Sequence, residues 1–128
     1  MVKVSFVGKF RLIFLAIVFL LSTPFNYAND QIIACDLVRV IDGDTAVFDC
    51  EGWNKSERVR FTGYNAPDKC QEGYKEATNW LKGILNNREI TLKVRARDKY
   101  RRIVADVFVN QEKVKAPKKH RAKRTACR

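Results

Sequence analysis

The sequence predicts a small closed β-barrel of the OB type, mainly β with one main helix, an α+β chain of five strands in Greek-key order. Three observations predict it. Five segments with strand patterning lie between residues 36 and 109. One segment, 72–86, has helical spacing, and it falls between the third and fourth strands. The first two strands meet across Asp42-Gly43, a strong short-range hairpin signal. A flat sheet capped by the helix is the alternative arrangement of the same elements.

The first 28 residues read as a leader. Lys3, Lys9 and Arg11 precede ten unbroken apolar residues, Leu12 to Leu21, and Ser22-Thr23-Pro24 breaks the run before Ala28. That is the charged, apolar and small-residue order of a secretory signal peptide. The run is shorter than the roughly 20 apolar residues that span a bilayer. Cleavage after Ala28 would leave 100 residues, secreted or periplasmic, with no stable membrane insertion. An uncleaved N-terminal anchor is the alternative, and Asn26 near the cut keeps it open.

The expected domain covers residues 29–112. Residues 36–41 and 45–50 form the hairpin, with Gly43 expected to supply a positive φ in the turn. Residues 57–62 alternate, with Val59 and Phe61 on one face and Arg58 and Arg60 on the other. Pro67 ends the sheet region at 63–68. In the helix, Tyr74, Ala77, Leu81, Ile84 and Leu85 make the apolar stripe, and Asn86-Asn87 stops it. In 89–97, Ile90, Leu92, Val94 and Ala96 are expected inward. Residues 103–109 form the last strand, apolar but for Asp106. Residues 113–128 read as a basic tail without apolar periodicity.

Four cysteines, Cys35, Cys50, Cys70 and Cys127, suggest disulfides in an exported small domain, with three possible pairings. A two-residue turn at Asp42-Gly43 pairs residues whose numbers sum to 85, which sets Cys35 opposite Cys50 and favours that bridge. Cys70 and Cys127 then remain for each other. A cysteine metal centre is disfavoured, because no two cysteines are close in sequence and His120 is the only histidine. The net charge of +11 is concentrated at the end of the chain: residues 110–128 hold eight Lys or Arg against one Glu, whereas 29–109 carry a net charge of only +1. Such a run is often a solvated end, and it can also bind polyanions.

The chemistry-bearing residues fall in three segments: Val40-Ile41-Asp42-Gly43-Asp44-Thr45, then Val59-Arg60-Phe61 leading to Asn65-Ala66-Pro67-Asp68, then Asp98-Lys99-Tyr100-Arg101-Arg102. In this order and spacing, residues 38–109 resemble the staphylococcal nuclease (thermonuclease) family. The resemblance implies hydrolysis of phosphodiester bonds in DNA or RNA with one Ca²⁺. It implies that Asp44 is the principal calcium carboxylate, that Asn65 and the Ala66 carbonyl complete the protein ligands, and that Asp42 supports them from behind. Arg60 and Arg102 match the phosphate-binding arginines, and Asp68 the carboxylate that activates water. These residue types suit those roles. Calcium takes oxygen ligands, a guanidinium grips two phosphate oxygens, and a carboxylate can take a proton from water.

Three departures from the family pattern bear on activity. Asn65 stands where the family has Asp, removing a charge from the metal site. Asp68 stands where it has Glu, and a carboxylate misplaced by about 1 Å can cost on the order of 100-fold in rate. After the last strand the family continues into helices, whereas Asn110 here runs into Lys113-Val114-Lys115-Ala116-Pro117-Lys118-Lys119, so the C-terminal helices are expected to be shortened or missing. The expected partner is a nucleic acid substrate met by a monomer with little base choice, since nothing in the chain suggests base-edge readers. A catalytically weakened nucleic-acid-binding module is the rival expectation.

Overall fold

The computed structural model describes residues 31–123. The expected leader and Cys127 lie outside that range. The strands are β1 (Ile32–Asp42), β2 (Thr45–Cys50), β3 (Glu57–Phe61), β4 (Ile90–Arg97), β5 (Ile103–Val109) and a two-residue β6 (Glu112–Lys113). The helix α1 (Tyr74–Leu85) lies between β3 and β4. Strand order is β3-β2-β1-β4-β5-β6, and a parallel pairing of β3 with β5 closes the first five strands into a barrel. The closed barrel agrees with the predicted class and excludes the flat sheet.

β1 is longer than its pattern indicates because it serves two partners. Ile32 to Cys35 pair with β4, and Cys35 to Asp42 pair with β2. The hairpin turn also differs from expectation. Asp42 pairs with Thr45, so the turn residues are Gly43 and Asp44, not Asp42 and Gly43. Two register shifts, at Leu37/Arg39 and Val40/Asp42, then bring the ladder back to Cys35 opposite Cys50, which are bridged. The expected disulfide therefore forms, although the register that suggested it does not hold at the turn. Cys70 is not a free thiol.

Val59, Phe61, Phe48, Leu92 and Val107 fill the barrel, and α1 covers one side with Ala77, Leu81 and Leu85. The helix starts two residues later than its spacing suggests. Gln71 donates to the Asp68 carbonyl in a turn, and Gly73 precedes the helix at φ 86°, a left-handed conformation natural to glycine. In β4 the alternation fails at its end. A bulge between Val94 and Ala96 shifts the register and turns Ala96 outward, and Val94 just before it is exposed as well. After β5, residues that looked like solvated tail pack on the barrel. Val114 donates to the Val107 carbonyl at 2.8 Å, Val114 and Ala116 are buried, and a 3-10 turn spans Lys118–His120.

Candidate functional site

The site forms where the β1–β2 turn meets the end of β3 and the loop after it. Gly43 lets these parts touch. A Cβ there would lie 2.7 Å from the Ala66 Cβ and 2.8 Å from the Ala77 Cβ. The glycine is required for this close approach; its φ is not positive, contrary to the expectation from the turn motif. Two tyrosine hydroxyls fix the turn from outside. Tyr64 donates to the Gly43 carbonyl at 2.8 Å and Tyr74 to the Ile41 carbonyl at 3.0 Å.

Asp44 is the centre of the cluster and is buried. Its Oδ1 accepts from the Thr45 hydroxyl at 3.0 Å. Its Oδ2 accepts from the Ala66 N–H at 2.7 Å and faces Arg60 Nη1 at 3.1 Å. Burying a carboxylate is costly unless it is paired and hydrogen-bonded, and Asp44 has both kinds of support. The backbone N–H of Asp44 donates to Asp42 Oδ1 at 3.0 Å. Asp42 thus braces the turn from behind. Burial first, then the hydrogen bond and negative charge of Asp44, push the Asp42 carboxyl up to about 6.

Arg60 collects the remaining oxygens. Nη1 also donates to the carbonyls of Phe61 at 2.7 Å and Tyr64 at 3.0 Å. Nη2 donates to Asn65 Oδ1. Asp44 and Asn65 therefore direct side-chain oxygens at one guanidinium. The family model described as staphylococcal nuclease homologue matches residues 58–122, about half of the chain. The chain belongs to the staphylococcal nuclease family. It is 27% identical to an uncharacterized endonuclease of Haemophilus influenzae over 81% of this chain and 58% of that protein. It is 34% identical to an uncharacterized endonuclease of Escherichia coli, over 62% of this chain and 55% of the relative. With the thermonuclease of Staphylococcus hyicus it shares 31% identity over 71% of this chain and 56% of the relative. The chain spans a little over half the length of these relatives.

In this staphylococcal nuclease homologue, five of the seven residues singled out from sequence come together: Asp42, Asp44, Arg60, Asn65 and Ala66. The other two stand apart among the described contacts. Arg102 is held by Asp98, whose Oδ2 accepts from Nε at 2.8 Å and whose Oδ1 accepts from the backbone N–H at 2.9 Å. Its guanidinium lies 5.4 Å from the Tyr100 ring centre. Burial acts to raise the Asp98 pKa, but the hydrogen bonds and charge of Arg102 and the Tyr100 N–H outweigh it and hold the carboxyl low. Asp68 is exposed, and its N–H donates to Gln71 Oε1 at 2.8 Å.

The side-chain oxygens of Asp44 and Asn65 are of the kind a hard cation takes, and they already converge on one positive group, the Arg60 guanidinium. Among the described residues, no group of three or more His, Cys, Asp or Glu side chains gathers in metal-binding fashion. Sequence reasoning missed Thr45, Tyr64 and the hydroxyl of Tyr74 as parts of the site. By spacing alone, Tyr74 belongs to the apolar stripe. A tyrosine on such a stripe carries a polar end that needs a partner when buried, and that is the signal that could have found it.

Proposed function

We propose that the chain is an exported, calcium-dependent nuclease that hydrolyses phosphodiester bonds of DNA or RNA with little sequence choice. The carrying observation is the convergence of Asp44 Oδ2 and Asn65 Oδ1 on the Arg60 guanidinium. Asp44, Asn65 and the Ala66 carbonyl would hold the calcium, with Asp42 bracing their turn. Bound there, calcium supplies positive charge against the phosphoryl oxygens. Arg60 and Arg102 would each grip phosphate oxygens and offset charge that builds in the transition state. Asp68 would take a proton from the attacking water. The test is digestion of single-stranded DNA by the purified chain with calcium titrated against a chelator. Cleavage that needs calcium and is lost in Arg60→Ala is expected. Cleavage unaffected by the chelator would refute the metal assignment. For export, mass spectrometry should find a terminus near Asn29, and an intact Met1 in the membrane fraction would refute it.

A nucleic-acid-binding module with weak cleavage is the second reading, and a specific observation favours it. Arg60 is committed to Asp44, Asn65 and two backbone carbonyls, and Arg102 to Asp98. Arg60, with both terminal nitrogens engaged, must loosen these contacts to grip a phosphate, and Arg102 is held by Asp98 through Nε. On this reading, oligonucleotides bind the chain but calcium brings little or no cleavage.

A further inference from the structure

We propose that residues 113–123 form a docked basic arm that tracks the phosphates of a single nucleic acid strand running into the site. This rests on the nucleic-acid reading above but not on cleavage. The residues carry six Lys or Arg, and their inner face is fixed. Val114 and Ala116 are 6% and 1% exposed, and Lys113 pairs with Asp106 at 3.2 Å. Farther on, the His120 ring stacks on Trp80 with centroids 5.7 Å apart and an angle of 29°. Trp80 meets Tyr64 edge-on at 6.2 Å, and Tyr64 holds the Gly43 carbonyl. Arg121 Nε donates to the Ala116 carbonyl at 2.8 Å, which folds the segment back. The arm ends on the site itself, where the Ala122 N–H donates to the Asn65 carbonyl at 2.7 Å.

The outer face is cationic. Lys115, Lys118 and Lys119 are exposed, and no ion pair engages them among the described residues. Lys123 only approaches Glu72, at 3.8 Å, with both side chains mostly in solvent. Lys118 and Ala122 are four positions apart, at most about 14 Å of chain, so Lys118 and Lys119 lie within a few nucleotides of Asn65. A strand with its phosphate near Arg60 meets the arm as it continues. Docking matters because an arm already ordered loses less freedom on binding than a free tail. Sequence-independent affinity from lysines that release counterions follows.

The experiment measures binding of a fluorescent 12-nucleotide single-stranded DNA in EDTA across a salt series. Each phosphate contact on single strands contributes about 0.7 to the slope of log affinity against log salt. Lys118→Gln/Lys119→Gln should therefore lower the slope by about 1.4. The charge-matched control is Lys55→Gln/Lys82→Gln, at the far end of β3 from Arg60 and in the last turn of α1. It should lower the slope by less than half as much. His120→Ala keeps every lysine, and the ring's Nδ1 is buried without a hydrogen-bond partner, so no bond is lost there. This variant should weaken binding severalfold while still unfolding cooperatively. If it does not fold, Ala122→Pro, which keeps every lysine and removes the N–H that reaches Asn65 while also fixing the local backbone, should weaken binding likewise.

An unchanged slope in the lysine pair, or an equal change in the control pair, overturns the arm. Unchanged affinity in the folded docking variant overturns docking, because a free tail would then suffice. Binding that responds as expected in a chain that never cleaves refutes the nuclease reading and leaves the arm intact. Calcium-dependent cleavage with unresponsive slopes does the reverse. No oligonucleotide binding by the parent chain overturns both.

Discussion

A methyl group on residue 43 has nowhere to go between Ala66 and Ala77. Gly43→Ala should therefore cost about 1–3 kcal/mol, the range for overpacking a filled site. Urea unfolding checks it, and a loss below about 0.5 kcal/mol would show that the turn slides away freely. Asn65 invites the opposite kind of change. Asn65→Asp sets a second carboxylate beside Arg60 and Asp44, and half-maximal cleavage should then need less calcium. An unchanged calcium requirement would remove Asn65 from the ligand set. At this scale the sequence displayed the charged members of the cluster through their motif spacing. It hid Tyr64 and Tyr74, whose hydroxyls reach carbonyls 21 and 33 positions away. Such bonds follow from how the turn, loop and helix approach, and no local pattern encodes that approach.

Among the elements, β5 carries the clearest electrostatic consequence. Its one polar interruption, Asp106, is buried and meets Thr62, Arg95 and Lys113. Burial acts to raise its pKa, but hydrogen bonds from Arg95, Thr62 and Lys113 outweigh this and hold it at about 2, below the ordinary 3.8. A folded pKa below the unfolded one adds stability that is full above about pH 4 and is lost as pH falls towards about 2. Urea midpoints measured from pH 6 down to pH 2 should fall through that window. In Asp106→Asn the midpoint should be lower at pH 6 and fall less steeply with acid. Equal slopes in the two proteins would remove Asp106 from the linkage. The strand itself was legible, since 103–109 is a nearly continuous apolar run. Its partners were not, because the β4 bulge that redirects alternation near Arg95 adds a residue without leaving a compositional mark.

For the molecule as a whole, the barrel class was legible because strand periods, a single helical stripe and their order survive local errors. The packed end of the chain was not, since Val114 and Ala116 are too few and too small to signal burial. The Cys35–Cys50 bridge spans 15 positions, for which restricting the unfolded chain contributes about 3 kcal/mol. Cys35→Ala/Cys50→Ala, which removes this bridge alone, should lower stability by at least about that amount in urea unfolding, and no loss would mean the unfolded hairpin is already compact. Barrel closure has a consequence in time. β1 with β2 and β4 with β5 are neighbours along the chain, so their pairing closes short loops. The parallel seam joins Val59 to Ile103, 44 positions away, and contacts of that span form slowly. Arg60 lies on that seam, opposite Val104. Refolding chains should therefore pass through an interval in which both hairpins exist but the β3–β5 seam does not. Pulse-labelled hydrogen exchange can see this, because the Thr62 N–H is protected only through the Ala105 carbonyl across the seam. Its protection should lag behind that of the β1–β2 amides, and simultaneous protection would show that the seam belongs to the folding nucleus.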